Sequence, residues 1–516
     1  MLDSSKGLAE LTKSKKNPTV QFIHESVRDF LRDEGLSNLE FGSIAPGPSH
    51  DVLKACCLNY VNIDLSSRLP HSQDLPQAKT HEASRLVEAI SRSYPFLEYA
   101  VQNVFHHANI AAEHGILQEP FLAEFPTGTW ILKNNVFEKH QVRRYSSSAD
   151  RVYILAEHNW SKLLTTECSM GSPIVDSGQR YGHPLYAALI GGGDEAAFVL
   201  LTLDTSLRSD LDQKQVKGVP LLSFATKNGF LATVKLLLEL GASVDYKDED
   251  DKTPLCHAAE SGHEGIVKIL LEHKAETDLS DKDKRTPLSH ASTPEVIRLL
   301  LKSGADPESR DSLGQTPLFH AVLSLSIPRI DLLLDSGAAL ESRDDRGRTA
   351  LSCAAERHLG EETIKVLLDR GADKESRDYK GRTPLSVAVG RTPLSHGVQH
   401  LGHGTVKLLL DRGTDIESTD KSGKTPLFYA SGNRYWTIPF WLLLDRGANV
   451  GSRDCSGGTV LHMASRYIGN EDLLLELVKI GADFEARDND GRRPIDIARP
   501  TNFERVIAAF ERAGAK

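Results

Sequence analysis

The sequence has few cysteines, no long apolar run and no excess of positive charge. Its six cysteines, Cys56, Cys57, Cys168, Cys256, Cys353 and Cys455, are a small number for 516 residues, and none forms a Cys-x-x-Cys pair. That argues against a disulfide framework and points to reduced thiols in the cytoplasm, with the nucleus also open. No stretch approaches 18 apolar residues, so no membrane span is expected. The opening residues MLDSSKGLAE lack the apolar core of a signal peptide. A formal net charge of −10 argues against general nucleic-acid binding, and Lys13, Lys15 and Lys16 alone are a weak basic cluster.

What the chain does have is a beat. The tripeptide Thr-Pro-Leu, or a close variant, recurs with its middle residue at Pro184, Pro220, Pro254, Pro287, Pro317, Ala350, Pro384, Pro426, Val460 and Pro494. The intervals run from 30 to 36 residues, with one of 42. A fixed period in this range signals a stacked solenoid, in which each unit buries its apolar face on its neighbours. The long interval contains a duplication, GRTPLSVAV (381–389) followed by GRTPLSHGV (390–398), and subtracting its 9 residues restores 33. The short interval lacks three residues where a first helix should turn into a second.

Residues 253–274 show the unit. Thr253 suits an N-cap and Pro254 the first helical position, where a missing N–H is harmless. Leu255, Ala258 and Ala259 share a helical face, and Gly262 ends the helix. A second helix presents Ile266, Val267, Ile269, Leu270 and Leu271, and a glycine normally stops it: Gly241, Gly304, Gly337, Gly371, Gly413, Gly447 and Gly481. Lys274 fills that slot in one unit, which predicts a locally weak repeat. A polar turn, often Glu-Ser-Arg-Asp, leads to the next Thr-Pro-Leu.

These residues resemble the ankyrin repeat across about residues 150–516. The resemblance implies an all-α solenoid of about ten units with turn or hairpin tips. Its usual histidine slot is filled only by His462. YILAEHNWSKLL (153–164) looks like part of a degenerate first repeat, and residues 492–514 like a C-terminal cap. Residues 1–149 do not keep the beat and read as a small helical domain. There Val20 and Phe22 alternate, Ile23, Val27, Phe30 and Leu31 have helical spacing, 42–50 and 66–82 look like loops, and a helix runs from Pro95 to Gly115. KNPTVQFIHESVRDFL (16–31), HDVLKACCLNYV (50–61) and YPFLEYAVQNVFHHA (94–108) resemble the segment between the NACHT ATPase and the ankyrin array of fungal NLR-like receptors. The ATPase itself is absent from this chain, so His24 is expected to be structural.

Three motifs look chemical. STDKSGKT (418–425) approaches a P-loop but has Ser418 where glycine is needed, and a proline follows it. His396, His400 and His403 fall within eight residues but have no glutamate between them and sit at the duplication. His257, His290 and His320 share one slot in successive repeats, and neighbouring helices about 8–10 Å apart favour a hydrogen-bonded or solvent-facing ladder over a shared metal. No catalytic residue, cofactor site or metal site is expected.

A protein partner is expected, with neither nucleic acid nor membrane, and a monomer in the absence of an ATPase module. The contact candidates are the variable tip residues Tyr246, Leu313, Arg346, Tyr379 and Cys455, and on first helices Phe319 and Phe428, large enough to reach the groove although core packing is the favoured reading of either. The recurring Arg-Asp pairs read as structural. A further column reads Lys235, Lys268, Arg298, Asp331, Lys365 and Lys407, then Trp441 and Leu475. With Tyr435 and Trp436 just ahead, this apolar break marks either a contact patch or a place covered by the 390–398 insertion or the tail. The sequence thus predicts a non-catalytic interaction scaffold: the ligand-sensing arm of an NLR-like receptor or a stand-alone ankyrin adaptor.

Overall fold

The computed structural model describes residues 9–11, 20–22, 46–70, 75–176, 178–357, 360–390, 401–432, 437–466, 471–497 and 503–512. The chain divides into two compact units, Met1–Tyr246 and Lys247–Lys516. Both are built mainly of helices.

In the first unit, β1 (Ala9–Leu11) pairs antiparallel with β2 (Val20–Phe22), as the Val20/Phe22 alternation suggests. Five helices follow: α1 (Pro46–Val61), α2 (His81–Ser93), α3 (Leu97–Glu113), α4 (Glu119–Glu124) and α5 (Thr127–Phe137). Helix α1 begins inside the stretch expected to be a loop. Pro46 and Pro48 fall in its first turn, where backbone N–H groups have no intrahelical partner to lose. The helix from Pro95 to Gly115 appears as α3, and Gly115 is left-handed at φ 83°.

Helices α1 and α3 pack lengthwise, and Phe105 is fully buried between them and α4–α5. Its ring centroid lies 4.4 Å from Phe125, 5.2 Å from Trp130 and 5.2 Å from Trp160. Lys133 on α5 is also buried. Its Nζ donates to the carbonyls of Val61 (2.6 Å) and Ile63 (2.5 Å), satisfying the C-terminal end of α1. Burial lowers the Lys133 pKa to about 8.

Three helix pairs complete this unit: α6 (Arg151–Glu157) with α7 (Ser161–Ser169), α8 (Pro184–Gly191) with α9 (Asp194–Leu203), and α10 (Leu221–Lys227) with α11 (Leu231–Glu239). The first pair spans the 153–164 stretch read from the sequence as part of a degenerate repeat. Each second helix is capped by a side chain from beyond its own pair, earlier in the chain. Asn109 Oδ1 accepts from the amides of Lys162 and Leu163, Asn159 Oδ1 from Ala196, and Asp194 from Ala232 and Thr233. Gly191 is required sterically, since a Cβ there would meet the Glu157 carbonyl at 2.2 Å.

The second unit repeats one helix pair: α12 (Pro254–Ser261) with α13 (Glu264–Glu272), α14 (Pro287–His290) with α15 (Pro294–Lys302), α16 (Pro317–Leu323) with α17 (Ile327–Asp335), α18 (Ala350–Arg357) with α19 (Glu361–Asp369), α20 (Pro384–Gly390) with α21 (Leu401–Asp411), α22 (Pro426–Ser431) with α23 (Thr437–Asp445), and α24 (Val460–Ser465) with α25 (Glu471–Lys479). A 3₁₀ turn, Pro494–Ile497, and α26 (Phe503–Arg512) follow, and α26 packs on α25. Leu255, Ala258, Ala259, Ile266, Val267 and Leu270 are buried, as the spacing predicts. The three missing residues shorten α14 to four.

Thr253 caps α12 by accepting from Cys256 N, and Thr349 and Thr383 act alike. Thr286 makes no such bond, and its hydroxyl meets Ser309 Oγ at 2.9 Å instead. The helix-ending glycines are all left-handed. Two bulkier residues share that conformation at helix ends: Lys274 (φ 62°) after α13 and Leu325 (φ 57°, 50 % exposed) after α16.

A Cβ in the left-handed region costs about 1–2 kcal/mol. Lys274→Gly and Leu325→Gly are each expected to raise the stability of the second unit by about 1 kcal/mol, read as a higher urea midpoint. An unchanged or lower midpoint would show that neither position holds strain.

Candidate protein-interaction surface

Each repeat of the second unit is joined to the next by a tip built on one aspartate. The eight are Asp248, Asp281, Asp311, Asp344, Asp378, Asp420, Asp454 and Asp488. In each, the aspartate amide donates to the carbonyl four residues on, at 2.9–3.0 Å. Its Oδ1 accepts from the backbone of the same tip: from Arg346 N and Arg348 N in the tip of Asp344, and from Ser422 N and Lys424 N in that of Asp420. The fourth tip residue is left-handed in every case. It is Asp251, Lys284, Gly314, Gly347, Gly381, Gly423, Gly457 or Gly491.

The tips are then stitched together through the backbone. Lys282 N donates to Asp250 O, Ser312 N to Asp283 O, Asp345 N to Leu313 O, Tyr379 N to Arg346 O, Lys421 N to Lys380 O, Cys455 N to Ser422 O and Asn489 N to Ser456 O. Arginines reinforce the seam. Arg343 donates to Gly347 O in its own tip and to Arg377 O in the next repeat, and Arg310 and Arg453 make the same pair of bonds in their own repeats. The recurring Arg-Asp pairs are therefore structural.

Seven of the eight aspartates use Oδ2 for a side chain. His257 (2.8 Å), His290 (2.8 Å) and His320 (3.1 Å) occupy three, forming the hydrogen-bonded ladder expected of them. Arg348, Arg382, Tyr429 and Arg492 take the others. Burial holds His290 and His320 below the ordinary histidine range, outweighing the attraction of Asp281 and Asp311. Burial also acts to raise Asp281, but hydrogen bonds from the Arg285 amide and His290 overcome it and leave that carboxyl below its usual range.

The P-loop-like stretch is one of these tips. Ser418 is buried against Thr383, and the amides of Ser422 and Lys424 point at Asp420, so the groups a phosphate needs are already engaged. His396 and His400 lie outside the described residues, as do His24, Tyr435 and Trp436.

The structure separates the remaining contact candidates. Leu313 (58 % exposed), Tyr379 (63 % exposed) and Arg346 stand on neighbouring tips, and Cys455 is exposed on a later one. Tyr246 does not reach a tip. It lies two residues ahead of the turn aspartate, half-buried, with its hydroxyl bonded to Gln213. Phe319 and Phe428 are corrections, being 0 % and 1 % exposed. Each sits one helical residue after the Leu of Thr-Pro-Leu, where Cys256, Ser352 and Ser386 are also buried. Trp441 and Leu475 are half-buried. Two exposed apolar neighbours, Ile438 and Ile480, went unpredicted, although Ile480 interrupts an arginine column visible in the sequence.

The family model for ankyrin repeats in three copies matches residues 185–283, 222–311, 292–378, 318–420 and 394–488. The chain belongs to the ankyrin-repeat family. Ankyrin arrays are protein-binding modules whose stacked repeats present extended surfaces. Among solved structures, the ankyrin repeat domain of Bcl-3, described as a unique member of the IkappaB protein family, is similar, with 31 % identity. The match covers 51 % of this chain and 100 % of that one, with a TM-score of 0.36. No curated protein matches. Among the described residues no helix is long and apolar enough to cross a membrane.

The histidine ladder gives the ankyrin array a pH dependence. A histidine whose folded pKa is depressed contributes stability above its unfolded value, about 6.5, and loses it as pH falls. Asp281 acts with the same sign at lower pH. The melting temperature is expected to fall between pH 7.5 and 5.5, and a His290→Gln/His320→Gln variant to fall less. Equal slopes would remove the ladder from the account.

Proposed function

We propose that this protein is a non-catalytic scaffold that holds a protein partner on its tip edge. The observation that carries the reading is the run of hydrogen-bonded tips displaying Leu313, Arg346 and Tyr379. Their backbone is fixed by the seam, so binding there freezes little more than side chains. Arg346 makes no ion pair among the described residues, and Tyr and Arg are favoured anchors at interfaces. The hydrogen-bonded seam sets Leu313, Arg346 and Tyr379 in one row across three successive tips. That suits a partner surface rather than a small molecule.

Within this reading the scaffold is the ligand-sensing arm of an NLR-like receptor. Support comes from the N-terminal segments that resemble the post-NACHT region, together with the ankyrin array. The adaptor reading differs only in where the activity resides. An antibody against the repeats separates the two in the native cells. A species much larger than 56.7 kDa favours a receptor carrying an ATPase, and one near 56.7 kDa favours the adaptor.

A Leu313→Asp/Arg346→Glu/Tyr379→Ala variant is expected to keep its helicity and lose at least about tenfold in partner affinity, as removal of interface anchors does. The measurement is quantitative co-purification of cross-linked partners, wild type against variant. An identical partner set at identical yield would sink the tip-edge reading.

A further inference from the structure

The second helices of the Lys247–Lys516 unit carry a charged ladder along one edge. Arg370 Nη1 lies 2.5 Å from Asp335 Oδ1, Arg412 Nη1 2.9 Å from Asp369 Oδ1, and Arg446 Nη2 2.5 Å from Asp411 Oδ1. Each arginine directly precedes a helix-ending glycine. Each aspartate stands two residues before the glycine of the preceding repeat. The same register assigns the next rung to Asp445 and residue 480. That residue is Ile480, 44 % exposed. Asp445 is exposed and has no ion-pair partner among the described residues, while the neighbouring Lys479 is held by Glu476 at 2.7 Å.

The same two helices depart from the pattern at a second position. Lys235, Lys268, Arg298, Lys365 and Lys407 are exposed in the column that Trp441 and Leu475 occupy on α23 and α25. Ile438, 45 % exposed, lies three residues before Trp441, and Asp445 lies four after it. Residues three and four apart share a helix face, so Ile438, Trp441 and Asp445 form one stripe along α23. Leu475 on α25 holds the register of Trp441, and Ile480, one residue past the end of α25, holds that of Arg446. Apolar side chains thus replace charge twice, beside a carboxylate whose rung is missing.

We propose that this edge docks an amphipathic helix of a partner protein. Its apolar side lies on Ile438, Trp441, Leu475 and Ile480, and an arginine or lysine at its end takes the open rung at Asp445. A helix is the matching shape because every existing rung joins one helix end to another. The stripe from Ile438 to Asp445 spans two turns, about 10 Å. A basic residue is the matching charge because an exposed carboxylate amid apolar groups rejects an acidic or purely apolar partner. The proposal rests on the scaffold reading but uses a different face from the tips.

The test is selection of a displayed library of helical peptides against the full chain, with counter-selection on Trp441→Asp. Selected peptides are expected to carry an apolar stripe and a terminal Arg or Lys. Their affinity should fall at least about tenfold on Trp441→Asp and on Asp445→Arg. Asp445→Arg should regain binding when the basic peptide residue becomes Glu. Circular dichroism checks helicity, and Trp441→Ala replaces Trp441→Asp if the latter unfolds. The proposal is overturned if no peptide distinguishes wild type from both variants, or if selected peptides have no basic preference. Sedimentation showing a wild-type dimer that Trp441→Asp makes monomeric would overturn it by assigning the face to a second copy. Peptides that lose affinity only on Leu313→Asp would overturn it too, while leaving the scaffold reading intact. Peptides indifferent to every variant would defeat both.

Discussion

The tip aspartate is the constraint on which the repeat array depends. One carboxylate meets three demands at once. Asp344 Oδ1 accepts from two amides of its own tip, and Oδ2 accepts from the Arg348 guanidinium. Closing the turn this way aims the amide of Asp345 at Leu313 O of the preceding tip and leaves Arg346 O for Tyr379 N of the next. Without it the buried Arg348 would keep only Glu356 as a charged partner. Truncating one side of a buried pair costs about 3–5 kcal/mol, far more than an exposed ion pair. The exposed Arg370, Arg412 and Arg446 rungs are tuning by comparison.

The seam also explains where glycine matters. At the fourth tip residue, glycine answers two needs. Gly347 has φ 75°, and a Cβ there would stand 2.8 Å from Tyr379 N. At most ends of the second helices only the dihedral matters. Gly304 has φ 94° with nothing within 4 Å of an added Cβ, so a side chain there is strained but not blocked. That difference accounts for Lys274 surviving at a helix end. The close approach is a property of particular tips, Gly314, Gly347, Gly381, Gly423 and Gly457, whereas Asp251 and Lys284 hold the same slot in the first two.

Much of this was legible in the sequence because it is local. The Thr-Pro-Leu helix start, the glycine columns and the left-handed Lys274 follow from backbone preference over a few residues, and they recur often enough to be read against one another. The shared slot of His257, His290 and His320 was visible. Their partners were not, because Asp248, Asp281 and Asp311 lie nine residues upstream, across the tip. Phe319 and Phe428 were offered as groove candidates because large aromatics stand out in a slot often filled by serine or cysteine, and the core packing favoured for them is what the structure has. The slot faces the core, and its tolerance of both sizes is a matter of packing. The start of α1 at Pro46 was hidden because proline reads as loop unless the helix beyond it is recognised.

The same accounting says why variation, and with it recognition, collects where it does. Within a tip, the first, fourth and fifth residues are committed by carboxylate, dihedral angle and ladder hydrogen bonds. The second and third use only their backbone in the seam, as Lys282 N and Asp250 O show. In some tips their side chains also brace the turn, as Ser422 and Ser456 do by donating to the tip aspartate, but the residue type is not fixed: the two positions hold Glu249 and Asp250 in one tip, Ser312 and Leu313 in another, Tyr379 and Lys380 in a third. An array that fixes its main chain so fully can change those residues at little cost to its fold. The proposed tip-edge surface would follow from how the repeats are joined: a row of backbone fixed by hydrogen bonds, with side chains at the second and third positions of tips such as those of Asp311 and Asp378 left to choose the partner.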